Sequence, residues 1–206
     1  MKVFEKFIFY IKKFMKFLDE DSWQSTIVNI LLAFLIIKFL LFPGLSFLLD
    51  TDFPIVAVVS QSMQHDNPLL NKKTDFDDWY KYHETYYNNY NITKDDFLKF
   101  PQKNGFRKGD ILFIYGKEYK SLDVGDVIVF EGGLIYPIIH RVINVTKENG
   151  EVIEVQTKGD NNPYSINSST LNEFSIKEDE YYGKAFFKIP YIGLIKIYLF
   201  KLLGLE

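Results

Sequence analysis

Apolar and polar positions along this chain change their period three times. Residues 3–18 (VFEKFIFYIKKFMKFL) alternate apolar and basic side chains at helical spacing. That pattern predicts an amphipathic helix over 1–20, lying in a membrane interface or packing on a partner. Residues 27–42 are then almost wholly apolar, broken only by Asn29 and Lys38, and they run into Pro43-Gly44. Counted back to Trp23, the run reaches the ~20 residues a helix needs to cross hydrocarbon, so 22–43 reads as a transmembrane anchor. Lys38 suggests where that helix stops. A helix continuous to Leu49 would hold the ammonium near mid-bilayer, at about 2.5–3.5 kcal/mol on insertion scales. A stop at Phe42 leaves it one turn from the interface, where it can snorkel, with residues 45–49 skimming the surface.

Beyond Pro54 the period falls to two. Runs at 55–59, 110–115, 126–130, 136–145 and 152–157 are rich in Val, Ile and aromatics, and turn pairs such as Gly125-Asp126 and Asn149-Gly150 separate them. They predict a mostly β domain over 54–185. Residues 66–105 interrupt it with a polar, Tyr/Asp/Asn-rich block, helical in part, that reads as an insertion capping or flanking the core. Asn91-Ile92-Thr93 within it is either an N-glycosylation sequon or a chance tripeptide. Residues 186–206 turn apolar again but carry Lys188, Lys196 and Lys201. Three spaced lysines favour a helix lying on the membrane surface, with a short second span as the alternative.

Charge adds orientation. Lys2, Lys6, Lys12, Lys13 and Lys16 precede the apolar run, and no lysine falls between residues 44 and 70. The positive-inside bias therefore places the N-terminus in the cytoplasm and the β domain outside, as a single-pass protein of the cell membrane. No small-residue cleavage site follows the anchor, so it is expected to stay attached. A net charge of −3 offers no basic face to nucleic acid, and no nucleic-acid-binding motif is present. With no cysteine, disulfides, Cys-zinc sites and a cysteine nucleophile are excluded.

Candidate chemistry gathers at three places. Ser62 ends the run Val58-Val59-Ser60-Gln61-Ser62-Met63, and a serine hydroxyl becomes a nucleophile only with a base in reach. Ser60 shares its face if the strand continues, so its hydroxyl and the Ser62 N–H could form an oxyanion hole. His140 lies among aliphatics in an apolar strand, which suits a neutral general base. Asp160, in Lys158-Gly159-Asp160-Asn161-Asn162, could accept from the His140 Nδ1–H. Each residue also has a plain structural reading: a strand-end serine, a core histidine, an Asx turn. His65 and His83 show no metal-ligand spacing, and no metal or cofactor is expected.

Five segments, in this order, resemble signal peptidase I of the archaeal and endoplasmic-reticulum type, the line of the catalytic subunit of the signal peptidase complex. They are Ser60-Gln61-Ser62-Met63, Phe106-Arg107-Lys108-Gly109-Asp110, Asp123-Val124-Gly125-Asp126-Val127-Ile128-Val129-Phe130, Ile139-His140-Arg141-Val142 and Thr157-Lys158-Gly159-Asp160-Asn161-Asn162; Ile189-Pro190-Tyr191-Ile192-Gly193 also matches. The resemblance implies an anchored β-domain serine endopeptidase with Ser62 as nucleophile, acting on secretory preproteins at the bilayer surface. His140 stands where the bacterial branch has a lysine. Members of this branch often carry a second acid about six positions after the first, where this chain has Ile166. Either Asp160 alone then orients His140, or another acid such as Glu173 substitutes. Accessory subunits are left open. Two competitors remain: a catalytically silent, membrane-anchored peptide-binding β module, and a self-cleaving protease of repressor-like β fold, against which the membrane anchor and the histidine argue.

Overall fold

A computed structural model describes residues 2–67, 72–73, 75–133 and 136–202. The chain divides into two compact units, Met1–Leu48 and Leu49–Glu206.

The first unit is a helical hairpin. Helix α1 (Lys2–Leu18) turns into α2 (Trp23–Ile36), which Ser22 caps by accepting from the Ser25 N–H at 3.2 Å. Ser25 Oγ and Asn29 Nδ2 both donate to the Leu18 carbonyl at 2.8 Å. Asn29, the polar break in the apolar run, thus satisfies an orphan acceptor at the end of α1. The expected stop at Phe42 does not occur. A π-helical turn (Ile37–Leu41) carries the chain into α3 (Phe42–Leu49), giving one apolar helix of 27 residues, Trp23–Leu49. Pro43 has no N–H and its ring crowds the carbonyl four residues back; the wider π turn, in which the Phe42 N–H donates to the Ile37 carbonyl, absorbs it without a break. Lys38 sits in this turn, 5.8 and 5.4 Å from the Phe34 and Phe39 ring centroids. At 1.5 Å per residue the helix is ~40 Å long against ~30 Å of hydrocarbon. Entering at Trp23 it would leave hydrocarbon near Pro43, so Lys38 keeps its place about a turn inside that boundary.

Among the described residues of the second unit, eight strands follow: β1 (Ile55–Ala57), β2 (Asp66–Asn67), β3 (Lys72–Lys73), β4 (Ile111–Tyr115), β5 (Val127–Phe130), β6 (Ile138–Glu148), β7 (Glu151–Lys158) and β8 (Tyr181–Ile189). β2 and β3 pair with each other; the rest form one antiparallel sheet in the order β1-β4-β8-β5-β6-β7. Central β5 explains why its run reads as continuously apolar. Ile128 and Phe130 enter one buried cluster with Val142, Val155 and Leu171, while Val127 and Val129 enter another with Val58, Met63, Phe106 and Leu112. The sheet curls so that both faces of β5 are covered, which gives the mostly β body expected from the pattern.

β8 was not foreseen as a strand. Residues 186–189, assigned to a C-terminal helix on their apolar content, pair with β4 instead, with Ile111 opposite Ile189. The helix α6 begins only at Gly193 and runs to Leu202. Within the insertion, α4 (Phe76–Asn88) and α5 (Lys94–Phe97) bury Trp79, Tyr80, Tyr87, Ile92 and Phe97 against Ile143 of β6. The block therefore caps the sheet with a core of its own. Asn91 of the sequon is exposed in the turn between these helices.

Candidate active site

Ser62 owes its position to hydrogen bonds on both sides. After β1 the chain stays bonded at Val58, whose N–H donates to the Asp110 carbonyl at 2.9 Å and whose carbonyl accepts from Gly109 at 2.8 Å. It then leaves the sheet in a tight turn closed by the Gln64 N–H to the Gln61 carbonyl, 3.0 Å. The Ser62 carbonyl accepts from the Asn161 N–H at 2.7 Å, and the Met63 carbonyl accepts from the Phe106 N–H at 2.8 Å. Met63 itself is buried and anchors the turn in the core. Ser60 Oγ lies 3.1 Å from Ser62 Oγ, so the two hydroxyls do share a face.

His140 projects from β6, opposite Ile128 of β5, and is buried. Its Nδ1 is hydrogen-bonded to Glu173 Oε1. The other nitrogen lies toward the Ser62 turn: a Cβ added to Gly159 would stand 2.8 Å from His140 Nε2 and 2.9 Å from the Ser62 carbonyl. No side chain larger than hydrogen fits between the imidazole and that turn there. A carboxylate at Nδ1 selects the Nδ1–H tautomer, which leaves Nε2 as the proton acceptor.

The expected pairing of Asp160 with His140 is not what the structure contains. Asp160 is fully buried and spent elsewhere: Arg141 donates to it twice, Nε to Oδ1 at 2.8 Å and Nη2 to Oδ2 at 2.7 Å. His65 Nε2 lies 2.9 Å from Oδ2, and the Tyr87 hydroxyl donates to Oδ1 at 3.3 Å. Burial alone would raise this carboxyl, but the Arg141 guanidinium holds it well below the usual carboxylate range. The reason for the exchange is strand geometry. Arg141 follows His140 in β6, so the two side chains point to opposite faces, and the residue opposite Arg141 is Lys158 of β7. The turn after Lys158 thus delivers Asp160 to the arginine.

Glu173 reaches the histidine from a short hairpin excursion. The Glu173 N–H donates to the Ile166 carbonyl at 2.9 Å, and its carbonyl accepts from the Thr157 N–H at 2.8 Å, which ties the excursion to β7. Its carboxylate is buried; besides His140 it accepts from Thr157 Oγ1 at 3.1 Å and from the Ile166 N–H at 2.7 Å. Ile166, the position at which a second acid would be expected, contributes a backbone donor to the carboxylate that arrives from Glu173. The spacing of acids hides this from a linear motif. In the structure Leu171 and Glu173 are buried while Asn172 and Phe174 are exposed, a pattern the sequence does not announce because the outward residue at 174 is an apolar phenylalanine.

Other buried ionisable groups cluster beside Asp160. Burial pushes the Lys158 ammonium down to about 7 and His83 down to about 3. Lys158 Nζ donates to the Gly159 and Asp160 carbonyls at 3.0 and 3.1 Å, which rigidifies the turn they belong to. Among the described residues, no group of three or more His, Asp or Glu side chains is arranged to hold a metal ion.

No protein-family model matches the chain. Among curated proteins it is similar to the signal peptidase complex catalytic subunit SEC11 of Komagataella phaffii, 35% identical over 103 residues, covering 45% of this chain and 57% of the relative. It is similar to human SEC11C, 34% identical over 97 residues, covering 45% and 49%. SEC11 of Lodderomyces elongisporus is 35% identical over 114 residues, covering 48% and 65%. The chain spans about half to two thirds of the length of these relatives, and they agree with the family resemblance carried by its motifs.

Proposed function

We propose that this protein is a membrane-anchored serine endopeptidase that removes signal peptides from exported preproteins, with Ser62 as nucleophile, His140 as general base and Glu173 as the carboxylate that orients it. The observation that carries the reading is the buried His140–Glu173 pair facing the Ser62 turn across Gly159. The similarity to three signal peptidase catalytic subunits supports the same chemistry.

In the acylation step Ser62 Oγ attacks the scissile carbonyl while its proton passes to His140 Nε2. The oxyanion accepts from the Ser62 N–H and the Ser60 hydroxyl. His140 then returns the proton to the leaving amine, the C–N bond breaks, and an acyl-Ser62 ester remains. A water attacks that ester with His140 again as base, which frees the signal peptide carboxylate and regenerates Ser62. Glu173 stabilises the imidazolium formed in both steps and keeps Nδ1 protonated throughout. Asp160 takes no part in the proton transfer; it pairs with Arg141 and keeps the 159–162 turn against Ser62.

Ser62 follows the apolar helix by only about a dozen residues in sequence, which suits a substrate whose apolar helix stays in the membrane and whose cleavage site emerges beside it. The 27-residue apolar helix supports a membrane anchor. We assign the N-terminus to the cytoplasm on the lysine bias. The test is cleavage of a purified preprotein in detergent by the full chain. Wild type should release the mature protein and Ser62→Ala should not, with unchanged circular dichroism. Cleavage by Ser62→Ala at the wild-type rate would end the assignment, and a folded wild type that never cleaves would favour the silent peptide-binding module.

A further inference from the structure

We infer that His65 is a positioning residue: it staples the nucleophile turn to the 159–162 turn and brings the 66–105 insertion into the control of Ser62. The inference rests on the reading of Ser62 as nucleophile and adds a role that the catalytic chemistry does not require by itself.

The geometry is a closed ring. His65 stands three residues after Ser62. Its Nε2 lies 2.9 Å from Asp160 Oδ2, and the next residue, Asn161, donates its N–H to the Ser62 carbonyl at 2.7 Å. The nucleophile turn is thereby pinned at both ends to one two-residue segment. Because Arg141 keeps Asp160 ionised, the carboxylate can only accept, so His65 is the donor through Nε2–H. A fully buried carboxylate that accepts from both an arginine and His65 fixes direction as well as distance.

What holds the imidazole in place comes from the insertion. Its ring stacks on Trp79 of α4, with centroids 3.7 Å apart and planes inclined by 5°. Gly105 also comes close: a Cβ there would stand 2.6 Å from the His65 ring and 2.1 Å from the Met63 carbonyl, and the residue has a φ of +63°. Tyr87 of the same helix reaches past it to Asp160 Oδ1. The imidazole is therefore held by three contacts: its stack on an insertion tryptophan, its bond to Asp160 and the close approach of Gly105. A ring held this firmly transmits the insertion's packing to the turn that carries Ser62. The insertion acts as a brace for the nucleophile.

The test compares three variants in the full chain. The amide nitrogen of Gln occupies the place of His Nε2, whereas that of Asn occupies the place of Nδ1. His65→Phe keeps the stack and loses the donor, His65→Asn misplaces it, and His65→Gln restores it. We expect kcat for preprotein cleavage to fall about 10- to 10²-fold in the Phe and Asn variants, with KM within about twofold, as small misplacements of a reacting group do. His65→Gln should recover most of the loss. A purely structural role would lower the fraction folded and leave kcat per folded molecule unchanged. Wild-type kcat in His65→Phe, or a Gln variant no better than Asn, overturns the inference; should the Phe variant not fold, the Gln and Asn pair decides.

A second readout does not depend on activity. In a Ser62→Ala background, His65→Phe should speed amide exchange at Asn161, whose N–H is bonded to the residue-62 carbonyl, while leaving central β5 protected. Unchanged exchange at Asn161 overturns the staple. Faster exchange in a protein whose wild type never cleaves leaves the staple standing and removes the proposed function instead.

Discussion

Replacing Glu173 by glutamine separates the two acids of this site. Glu173 Oε1 accepts from His140 Nδ1 and Thr157 Oγ1, and Oε2 accepts from the Ile166 N–H, so all its bonding partners in the structure are donors. An amide has one acceptor end and one donor end. With its oxygen toward His140, the amide NH2 would face the Ile166 N–H across 2.7 Å, and leaving that buried donor unpaired costs about 1–3 kcal/mol. The relaxed arrangement is the flipped one: oxygen on Ile166, NH2 toward Thr157 and His140. Nδ1 must then accept, the proton moves to Nε2, and the base is blocked toward Ser62. A wrong tautomer in a serine protease triad lowers kcat by ~10⁴, a change in barrier of about 5 kcal/mol. We expect that loss in Glu173→Gln, measured as single-turnover preprotein cleavage, with a melting temperature close to wild type. Asp160→Asn should behave in the opposite sense. It leaves Arg141 buried without its carboxylate, and removing one partner of such a pair costs about 3–5 kcal/mol of stability. Glu173→Gln with wild-type kcat, or Asp160→Asn with wild-type stability and a ~10⁴-fold loss of kcat, would refute the exchange of roles.

Ser60→Ala should lower kcat by ~10²–10³-fold with little change in KM, as loss of one oxyanion donor does; wild-type kcat would mean that backbone groups alone form the hole. Stability should fall as pH drops below about 6.5 toward 3, because unfolded chains protonate His83 over that window while the folded protein, with its value near 3, does not. His83→Phe should flatten that part of a denaturation series, and an unchanged slope would assign the acid sensitivity elsewhere. Protease added to intact cells stripped of their surface layer should cut the 66–105 insertion and spare residues 1–20; the reverse pattern would overturn the lysine-based orientation.

The pattern of the chain made the β body, the apolar helix, the serine and the histidine legible, since each depends on local periodicity or a short motif. Three features were decided by geometry that neither periodicity nor a short motif records. Residues 186–189 look like helix by composition and become strand because β4 offers them a ladder. The helix past Pro43 continues because a π turn relieves the proline, a choice invisible to a hydropathy window. Asp160 looked like the partner of His140 because both are polar and motif-borne. The alternation of side chains along β6 sends Arg141 to the opposite face, and the acid follows the stronger charge. Glu173 was a bare possibility in the sequence, as an acid seven positions past Ile166 with no motif around it.

The excursion that carries Glu173 has a consequence for how this protein would fail. Residues 167–170 are exposed, and the backbone bonds that hold the segment are the Ser168 N–H to the Leu171 carbonyl at 2.8 Å, the Glu173 N–H to the Ile166 carbonyl at 2.9 Å, the Thr157 and Val155 N–H groups of β7 to the Glu173 and Ile176 carbonyls, and the Ile176 N–H to the Val155 carbonyl. Opening it would break these and draw Leu171 and Ile176 out of the cluster on one face of β5, while the cluster on the other face stays intact, so its free energy of opening should lie below that of the whole domain. Heat inactivation and melting would then be separate events. A preparation warmed below its melting temperature would keep its circular dichroism, lose turnover as the carboxylate swings away from the imidazole, and regain it on cooling. Shelf life measured by folding alone would overstate how long such an enzyme works.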